Sequence, residues 1–509
     1  MKSGPSTAAD LKFPDFTLVT ASAGSGKTHA LTYRFLRFIL SDRIPGNNLQ
    51  NILAITFTNN AAREMKQRIL GELKSASLGE EDVLEHLAAV GVDRADAKRK
   101  AATMVDYLLD HYSEFQVQTI DSFLSRVFRA SALEFGYPPG VEILIDSADL
   151  LRQTFDEFAR ELAVDTAKRA TLDRLVDMLL AGQADNSRYL WNPFEKISGE
   201  VRSLYNTLSQ FAGDIASPSD LSRRRDELRV AILSTFEELR RLVAASRMEV
   251  NRYFDAVVDA AERKDIEDLI GRKSLYNPLL KKTGANAADV ARWQAQCDPI
   301  QARMKKLADE FTVVSARTYY NAYAEALRYF RSVTSRISKE EGEITIADVN
   351  RLLAGMVKQD IVPEIYFYLG ERINHYLIDE FQDTSPLQWS VFRPLAEESL
   401  SKKGSLFIVG DPKQSIYTFR GADWQIMRRL ETGAEKFPSA PVRVEKLKTN
   451  FRSFEQIVSF NKEVFHTVVP LSDKKEAGRL SGLSDYEQHV KQEFKGQGHV
   501  EVIPIQDDP

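Results

Sequence analysis

Residues 16–36 read FTLVTASAGSGKTHALTYRFL. Residues 16–20 form a short apolar run typical of a buried strand. Residues 29–40 carry apolar side chains at three- and four-residue spacing, which is typical of an amphipathic helix. A glycine-rich loop joins the two segments. A strand, a glycine-rich loop and a helix in this order open a βαβ unit, so the stretch predicts an α/β domain built on a parallel sheet.

The loop matches the Walker A pattern, in the strand–loop–helix context that this pattern requires. It consists of Ala21, Ser22, Ala23, Gly24, Ser25, Gly26, Lys27 and Thr28, with Ala21 where the pattern has glycine. Glycines let backbone N–H groups close around phosphates, and the N-terminus of the following helix favours an anion. Lys27 is expected to reach the β- and γ-phosphates, and the Thr28 hydroxyl to ligate Mg²⁺. The loop predicts nucleotide binding but does not distinguish a kinase, a GTPase and a motor.

Four further apolar runs follow along the chain, at residues 52–57, 115–118, 376–378 and 406–409. Each is followed by a polar, motif-like loop. Residues 60–73, after the second run of the chain, are helical in pattern. Short continuous apolar runs of this kind are typical of parallel strands buried on both faces.

Residues 131–344 have a different pattern. Residues 148–163, 226–245 and 319–337 are amphipathic and charged, and strand signals almost vanish. Turn-forming residues cluster at Trp191-Asn192-Pro193 and at Asn277-Pro278, where we expect loops. We therefore predict a helical subdomain inserted into the α/β domain.

Composition excludes several classes of protein. Cys297 is the single cysteine, which excludes an internal disulfide framework and fits a reducing, cytoplasmic environment. The first ten residues lack the apolar segment of a secretory signal, and no apolar run approaches the length of a membrane span. The seven histidines show no close-spaced metal pattern. The net charge of -5 does not decide about nucleic acid, because a DNA groove needs only a local basic lining.

An acidic segment, residues 379–383, follows the apolar run at 376–378. Asp379 suits the coordination of Mg²⁺, and Glu380 is placed to orient and deprotonate an attacking water. A plain acidic surface turn is the alternative, but so many acidic and amide groups directly after a buried strand are unusual there. The large separation of Lys27 from Asp379 indicates a nucleotide-binding core interrupted by an insertion.

Six segments occur in the order ASAGSGKT, AITFTNNAAREM, QTIDSF, IDEFQDT, VGDPKQSIYTFRGAD and LKTNFRS. Together they resemble motifs I, Ia, the following DNA-contacting motif, II, III and IV of UvrD/Rep-type superfamily 1 DNA helicases. The fifth is most similar to the RecB and AddA branch, which acts in double-strand break processing. The resemblance covers about residues 1–130 and 345–509, and the helical middle matches only in kind. It implies an ATP-driven motor that moves 3′ to 5′ on single-stranded DNA.

The resemblance also implies roles in ATP hydrolysis, with ATP and Mg²⁺ as cofactors. Gln414 would sense the γ-phosphate and couple it to domain movement. Arg452 would reach across from a second motor domain as an arginine finger, alongside the catalytic Lys27, Asp379 and Glu380.

DNA contacts are implied for two groups of residues. Phe57, Tyr417 and Phe419 would stack on bases, which tolerates any sequence because every base has a π-face. Core packing is the alternative for Phe57 and Phe419. Thr58, Asn59, Thr119 and Ser122 would donate hydrogen bonds to phosphates. Asn59 and Asn60 would also suit the cap of the following helix.

The resemblance predicts a RecA-like motor domain at residues 1–130 and 345–435, interrupted by the helical subdomain at 131–344. Residues 436–509 would begin a second RecA-like domain, because residues 442–447 and 500–505 look like its strands. Motifs V and VI do not occur in this sequence. We therefore expect the N-terminal part of a motor, with little or no helicase activity alone.

Three departures from the family pattern weaken particular assignments. Asp121 stands where the family often has histidine, which argues against a phosphate contact there. The glutamine-bearing segment that reads adenine is not evident in residues 10–20, so these residues do not select ATP over other nucleoside triphosphates. Residues 346–350 keep only one acid of a pair that is often present before motif II.

Three functions compete at this point. The first is a helicase or helicase–nuclease motor subunit that acts on single-stranded DNA and duplex ends, with a partner subunit. The second is an ATP-regulated, non-enzymatic DNA-binding subunit, which the intact Lys27, Glu380, Gln414 and Arg452 argue against. The third is another phosphate-loop enzyme such as a kinase, which the DEFQDT and QSIYTFRGAD segments argue against.

Overall fold

The computed structural model describes residues 11–181, 193–208, 218–281, 287–358, 364–472 and 475–503. Within these residues the strands are β1 (Asp15–Ala21), β2 (Ile52–Thr56), β3 (Gln116–Thr119), β4 (Glu142–Leu144), β5 (Glu343–Thr345), β6 (His375–Ile378), β7 (Ser405–Gly410), β8 (Val442–Leu447), β9 (Thr449–Asn450) and β10 (His489–Val490).

The α-helices of the described residues are α1 (Lys27–Leu40), α2 (Asn59–Leu78), α3 (Glu81–Ala89), α4 (Arg94–Asp110), α5 (Ile120–Ala130), α6 (Ala148–Val164), α7 (Thr166–Ala181), α8 (Pro193–Leu208), α9 (Pro218–Ser246), α10 (Phe254–Glu262), α11 (Ile266–Gly271), α12 (Ala287–Tyr319), α13 (Asn321–Glu341), α14 (Ile346–Lys358), α15 (Glu364–Arg372), α16 (Pro386–Ser401), α17 (Gln425–Glu431), α18 (Glu455–Glu463) and α19 (Lys475–Ser481).

A parallel sheet is formed by strands that lie between residues 15 and 447. Its strands in the described residues lie in the order β3-β2-β6-β7-β1-β8. Every neighbouring pair is parallel, so the carboxyl ends of the strands meet at one edge of the sheet. Ligands of open α/β sheets bind outside this edge. The predicted α/β class with a parallel sheet is confirmed.

Both faces of the sheet are covered, as continuous apolar strands require. Leu53 and Ile55 of β2 point into a core with α5, α14 and α16, whereas Ile52 and Ala54 pack against α1, α2 and α4 on the other face. The alternation along one strand places consecutive residues in two different cores. The five apolar runs predicted as strands correspond to β1, β2, β3, β6 and β7.

The chain divides into two compact units. The first contains Met1–Ser147, Asn206–Ala212 and Ser338–Pro509, and the second contains Ala148–Tyr205 and Gly213–Ile337. In the second unit α9 and α12 pack around a core that includes Phe236, Leu239 and Met304. Residues 131–147 and 338–344, which we predicted within the insertion, belong to the first unit, because β4 pairs with β5 there.

Two expectations about strands need correction. Residues 442–447 do form a strand, but β8 pairs with β1 and is the last strand of the first sheet rather than the start of another. The pattern VRVEKL suits such an edge position, since β8 is flanked by a neighbour on one side only in the described residues. Residues 500–503 form no strand, and residues 504 and 505 lie outside the described residues.

Predictions for the helical segments differ in detail from the structure. The helix predicted at residues 319–337 is α13, which begins at Asn321, and Tyr319 ends α12 instead. Asn277 and Pro278 lie in a loop, as predicted. Trp191 and Asn192 lie outside the described residues, and Pro193 begins α8.

Candidate nucleotide and DNA site

The loop between β1 and α1 has the geometry of an anion cradle. Gly24 and Gly26 have φ of +76° and +86°, values that other residues rarely adopt. The Ser25 hydroxyl donates to the carbonyl of Ser22 at 2.6 Å and closes the loop. Gly26 is the N-cap of α1 and offers no side-chain cap. The first N–H groups of α1 therefore have no capping side chain and suit a phosphate.

Lys27 meets two other predicted site residues. Its Nζ donates to Oε2 of Glu380 at 2.8 Å and to Oε1 of Gln414 at 3.0 Å. The Lys27 side chain is only 10% exposed. Residues from β1–α1, from the end of β6 and from the end of β7 thus converge at the carboxyl edge of the sheet, although they are far apart in the sequence.

Three carboxylates crowd the end of β6. Burial, and then the nearby charge of Glu380, raises the pKa of Asp379 to about 6. The same two causes raise the pKa of Asp383 to about 6. A divalent cation beside Asp379 would offset the repulsion that Glu380 exerts on Asp379 and Asp383. Among the described residues no cluster of three His, Cys, Asp and Glu side chains could hold a metal, so a cation held by Thr28 and Asp379 would need further ligands from phosphate or water.

Glu380 has a strained backbone and a supporting amide. Its φ of +50° is unusual for a residue with a side chain. Nε2 of Gln382 donates to Oε2 of Glu380 at 2.7 Å, and Oε1 of Gln382 accepts from the N–H of Asp411 at 2.8 Å. Gln382 is 1% exposed. We assigned no role to Gln382 from the sequence, although its place inside the DEFQDT run was the available signal.

Arg452 lies over the phosphate-binding loop. A Cβ atom added to Gly24 would lie 2.9 Å from Cβ of Arg452, and the N–H of Phe451 donates to the carbonyl of Gly24 at 2.8 Å. The segment reaches the loop because β8, which precedes it, lies beside β1. Arg452 is exposed, and no described residue forms an ion pair with its guanidinium. Sequence reasoning did not identify Phe451, whose ring lies 3.9 Å from a Cβ added to Gly26.

The three predicted stacking residues form an aromatic strip. The ring centroids of Phe57 and Tyr417 are 4.6 Å apart, and those of Tyr417 and Phe419 are 5.9 Å apart. The Arg420 guanidinium lies over both Tyr417 and Phe419. Phe419 is 71% exposed, so core packing does not explain it. The strip offers flat faces and a positive charge at the same sheet edge.

The predicted phosphate donors are helix N-terminal residues. Thr58 is the N-cap of α2 and accepts from the N–H of Ala61 at 3.1 Å, so the cap that we considered for Asn59 and Asn60 belongs to Thr58. Thr119 is the N-cap of α5 and accepts from the N–H of Ser122 at 3.1 Å. Thr119 is buried, whereas Thr58, Asn59 and Ser122 are exposed.

Asp121 faces the protein rather than a ligand. Its Oδ1 accepts from Nε2 of Gln388 at 2.8 Å, and burial raises its pKa. This position is consistent with the doubt about a phosphate contact there. None of the described helices combines the length and the apolar character needed to cross a membrane.

The chain is similar in sequence to known helicase proteins. The sequence model of the UvrD/REP helicase N-terminal domain matches residues 6–435. The chain is 24% identical to an ATP-dependent helicase/nuclease subunit from Lactococcus lactis subsp. lactis, with 96% of the chain and 41% of that protein covered. It is 26% identical to the protein of the same name from Latilactobacillus sakei, with 88% of the chain and 53% of that protein covered. The chain thus spans about half or less of the length of these curated relatives, and it belongs to the UvrD/REP helicase N-terminal domain family.

Proposed function

We propose that this chain is the ATP-binding part of an ATP-dependent translocase or helicase that acts on single-stranded DNA in DNA repair. The contact of Lys27 with both Glu380 and Gln414 carries the proposal. This contact places a phosphate-binding lysine, a candidate general base and a candidate phosphate sensor within hydrogen-bonding distance. The aromatic strip at the same sheet edge supplies the surface for DNA bases.

Hydrolysis would depend on an exchange of partners by Lys27. Its ammonium now neutralises Glu380, so nucleotide binding requires it to turn toward phosphate oxygens. Glu380 is then released to orient and deprotonate a water, while Gln382 still holds its carboxylate. Mg²⁺, held by Thr28 and Asp379 when bound, would offset the charge of the phosphates.

Gln414 is the proposed link between nucleotide and DNA. Its Oε1 accepts from Lys27, and its Nε2 donates to Oδ2 of Asp411 at 2.7 Å. Tyr417 follows Gln414 by three residues. A change in the partners of Lys27 would therefore move the turn that carries the aromatic strip.

A second motor domain would begin after Leu447, since β8 belongs to the first sheet. We infer that the insertion corresponds to the second compact unit and that movement is 3′ to 5′, as in the family that the motifs resemble. A helicase–nuclease partner subunit is also a proposal, supported by the names of the relatives. An ATP-regulated, non-enzymatic subunit is the alternative, and the convergence of Lys27, Glu380 and Gln414 favours the motor.

Equilibrium binding of ATP with Mg²⁺ to the chain tests the proposal, with Lys27→Ala as the variant. Lys74→Ala is the matched control, because Lys74 is an exposed lysine of α2. We expect binding that Lys27→Ala loses and Lys74→Ala keeps. Equal binding by all three proteins would overturn the role of the loop. DNA-stimulated hydrolysis by a protein that contains a complete second motor domain would separate the motor from the non-enzymatic alternative.

A further inference from the structure

Residues after β8 form hydrogen bonds with two carbonyls of the phosphate-binding loop. The carbonyl of Ala23 accepts from Nε2 of Gln488 at 3.0 Å and from Nδ2 of Asn450 at 3.3 Å. The next carbonyl, of Gly24, accepts from the N–H of Phe451. Two consecutive carbonyls of the loop are therefore held by residues more than 400 positions away.

Both amide side chains are buried and fixed in one orientation. Gln488 is 8% exposed and Asn450 is 4% exposed. Oε1 of Gln488 accepts from Nδ2 of Asn450 at 2.9 Å and from the Tyr486 hydroxyl at 2.7 Å. Two donors at Oε1 leave Nε2 to face Ala23, so the amide cannot rotate by half a turn without losing these bonds.

Asn450 is fixed in the same way. Its Oδ1 accepts from the N–H groups of Arg452 and Ser453, both at 2.8 Å. β9, which contains Asn450, pairs with β10, which starts one residue after Gln488. The two amides thus form one unit, supported by a short strand pair.

The geometry of the peptide bond gives this unit a role. In a trans peptide the carbonyl of one residue and the N–H of the next point to opposite sides. Donors that hold the Ala23 carbonyl therefore fix the Gly24 N–H on the opposite side of that peptide, away from Gln488 and Asn450. Phosphate binding by such loops depends on backbone N–H groups that point inward before the ligand arrives.

We propose that Gln488, together with Asn450, is a positioning residue that presets the phosphate-binding loop for nucleotide. The inference rests on the proposed function of that loop. Gln488 lies beyond the residues matched by the family model, which end at 435. Nucleotide affinity would thus depend on Gln488, which lies in none of the family motifs, as well as on Asn450 of the LKTNFRS segment.

The test compares Gln488→Glu with Gln492→Glu. A glutamate at 488 has nearly the same size but offers the Ala23 carbonyl no N–H donor. Gln492 is exposed and only four residues away, so it receives the same chemical change without contact to the loop. We expect Gln488→Glu to weaken binding of ATP with Mg²⁺ about tenfold. Hydrogen exchange in residues 21–28 of the nucleotide-free variant should be faster.

Two further measurements separate positioning from general damage. Binding of oligo(dT) should not change in Gln488→Glu, because the aromatic strip does not contact Gln488 in the structure. If Gln488→Glu does not fold, Tyr486→Phe removes only the hydroxyl that orients the amide, and a smaller loss of ATP affinity, about threefold, is expected.

The outcomes distinguish the two proposals. If the unaltered chain binds ATP no better than Lys27→Ala does, the proposed function fails. If binding depends on Lys27 but Gln488→Glu matches Gln492→Glu, the role of Gln488 is overturned. Equal losses of ATP and oligo(dT) binding in Gln488→Glu would also overturn it, since they would indicate a structural effect.

Discussion

Lys27 Nζ and Glu380 Oε2 are 2.8 Å apart, and the two residues are 353 positions apart in the sequence. The ion pair joins the phosphate-binding lysine to the candidate general base. Lys27 and Glu380 therefore stay ion-paired until phosphate oxygens compete for the Lys27 ammonium. This relationship sets expectations for variants at Glu380.

Glu380→Gln should keep ATP binding and lose hydrolysis. The amide cannot accept a proton from water, and general-base catalysis contributes roughly 10²–10⁴-fold to rates. Lys27 would also lose its charged partner, so ATP affinity should be unchanged or tighter. The measurement is DNA-stimulated phosphate release in a protein with a complete second motor domain, beside ATP affinity in this chain. Glu134→Gln, at an exposed position, is the control. Normal turnover by Glu380→Gln would remove Glu380 from catalysis.

Gln382→Met should lower turnover more than affinity. Methionine has a similar size but cannot donate to Glu380 or accept from the N–H of Asp411. A misplaced base slows the chemical step. For DNA-stimulated ATP hydrolysis by a protein with a complete second motor domain, we expect kcat to fall about tenfold or more with a small change in the KM for ATP. Gln425→Met changes an exposed glutamine and serves as the control. A rise in KM with unchanged kcat would contradict a role in positioning Glu380.

Phe419→Ala should weaken binding of single-stranded DNA. Stacking of a base on an aromatic ring contributes about 1–3 kcal/mol, so a loss of roughly fivefold or more in the affinity for oligo(dT) is expected. Fluorescence anisotropy of a labelled oligonucleotide measures it. Tyr253→Ala removes another exposed aromatic ring and should leave binding unchanged. Full affinity in Phe419→Ala would place the DNA path elsewhere.

His375 should make stability depend on pH. Burial lowers its pKa to about 4, and its ring bonds to Ser405 and to the carbonyl of Pro45. Below the ordinary pKa of about 6.5 the unfolded chain gains a proton at this residue that the folded chain does not. Stability from His375 is thus present above about pH 6.5 and lost as the pH falls toward 4, by up to about 3 kcal/mol.

The pH effect is measured as a difference between proteins, since Asp379 and Asp383 have raised pKa values and act in the opposite direction. Urea unfolding at several pH values would compare the unaltered chain with His375→Gln, whose amide can still donate to the Pro45 carbonyl. His499→Gln, at an exposed histidine, is the control. If all three proteins lose stability in parallel, His375 does not contribute.

Much of the fold could be predicted because its signals are local. The apolar runs that became β1, β2, β3, β6 and β7 are buried on both faces, and burial on both faces needs unbroken apolar sequence. β8 (VRVEKL) mixes polar and apolar residues, so its pattern indicates a strand without indicating its sheet. Only the pairing with β1 decides that question, and pairing depends on residues distant in the sequence.

Some residues of the candidate site could be predicted from local sequence patterns, and others could not. Lys27, Asp379 and Glu380 lie in segments whose flanking strands predict their chemistry, whereas the role of Gln414 is what the family resemblance implies. Gln488 lies in no motif, and its partners are a backbone carbonyl, the Asn450 amide and the Tyr486 hydroxyl, which leave no sequence pattern. The resemblance assigns Thr58 and Thr119 to DNA contacts, but their use as helix caps depends on where the helices begin.

The pairing of β8 with β1 also bears on how the protein can be shortened. The family match ends at residue 435, before β8 begins. A chain cut there would turn β1, the strand that leads into the phosphate-binding loop, into an uncovered sheet edge with unpaired N–H and C=O groups. Such an edge is a template for strands of other molecules. We expect a version ending at 435 to aggregate, whereas one that retains Val442–Leu447 keeps that edge covered.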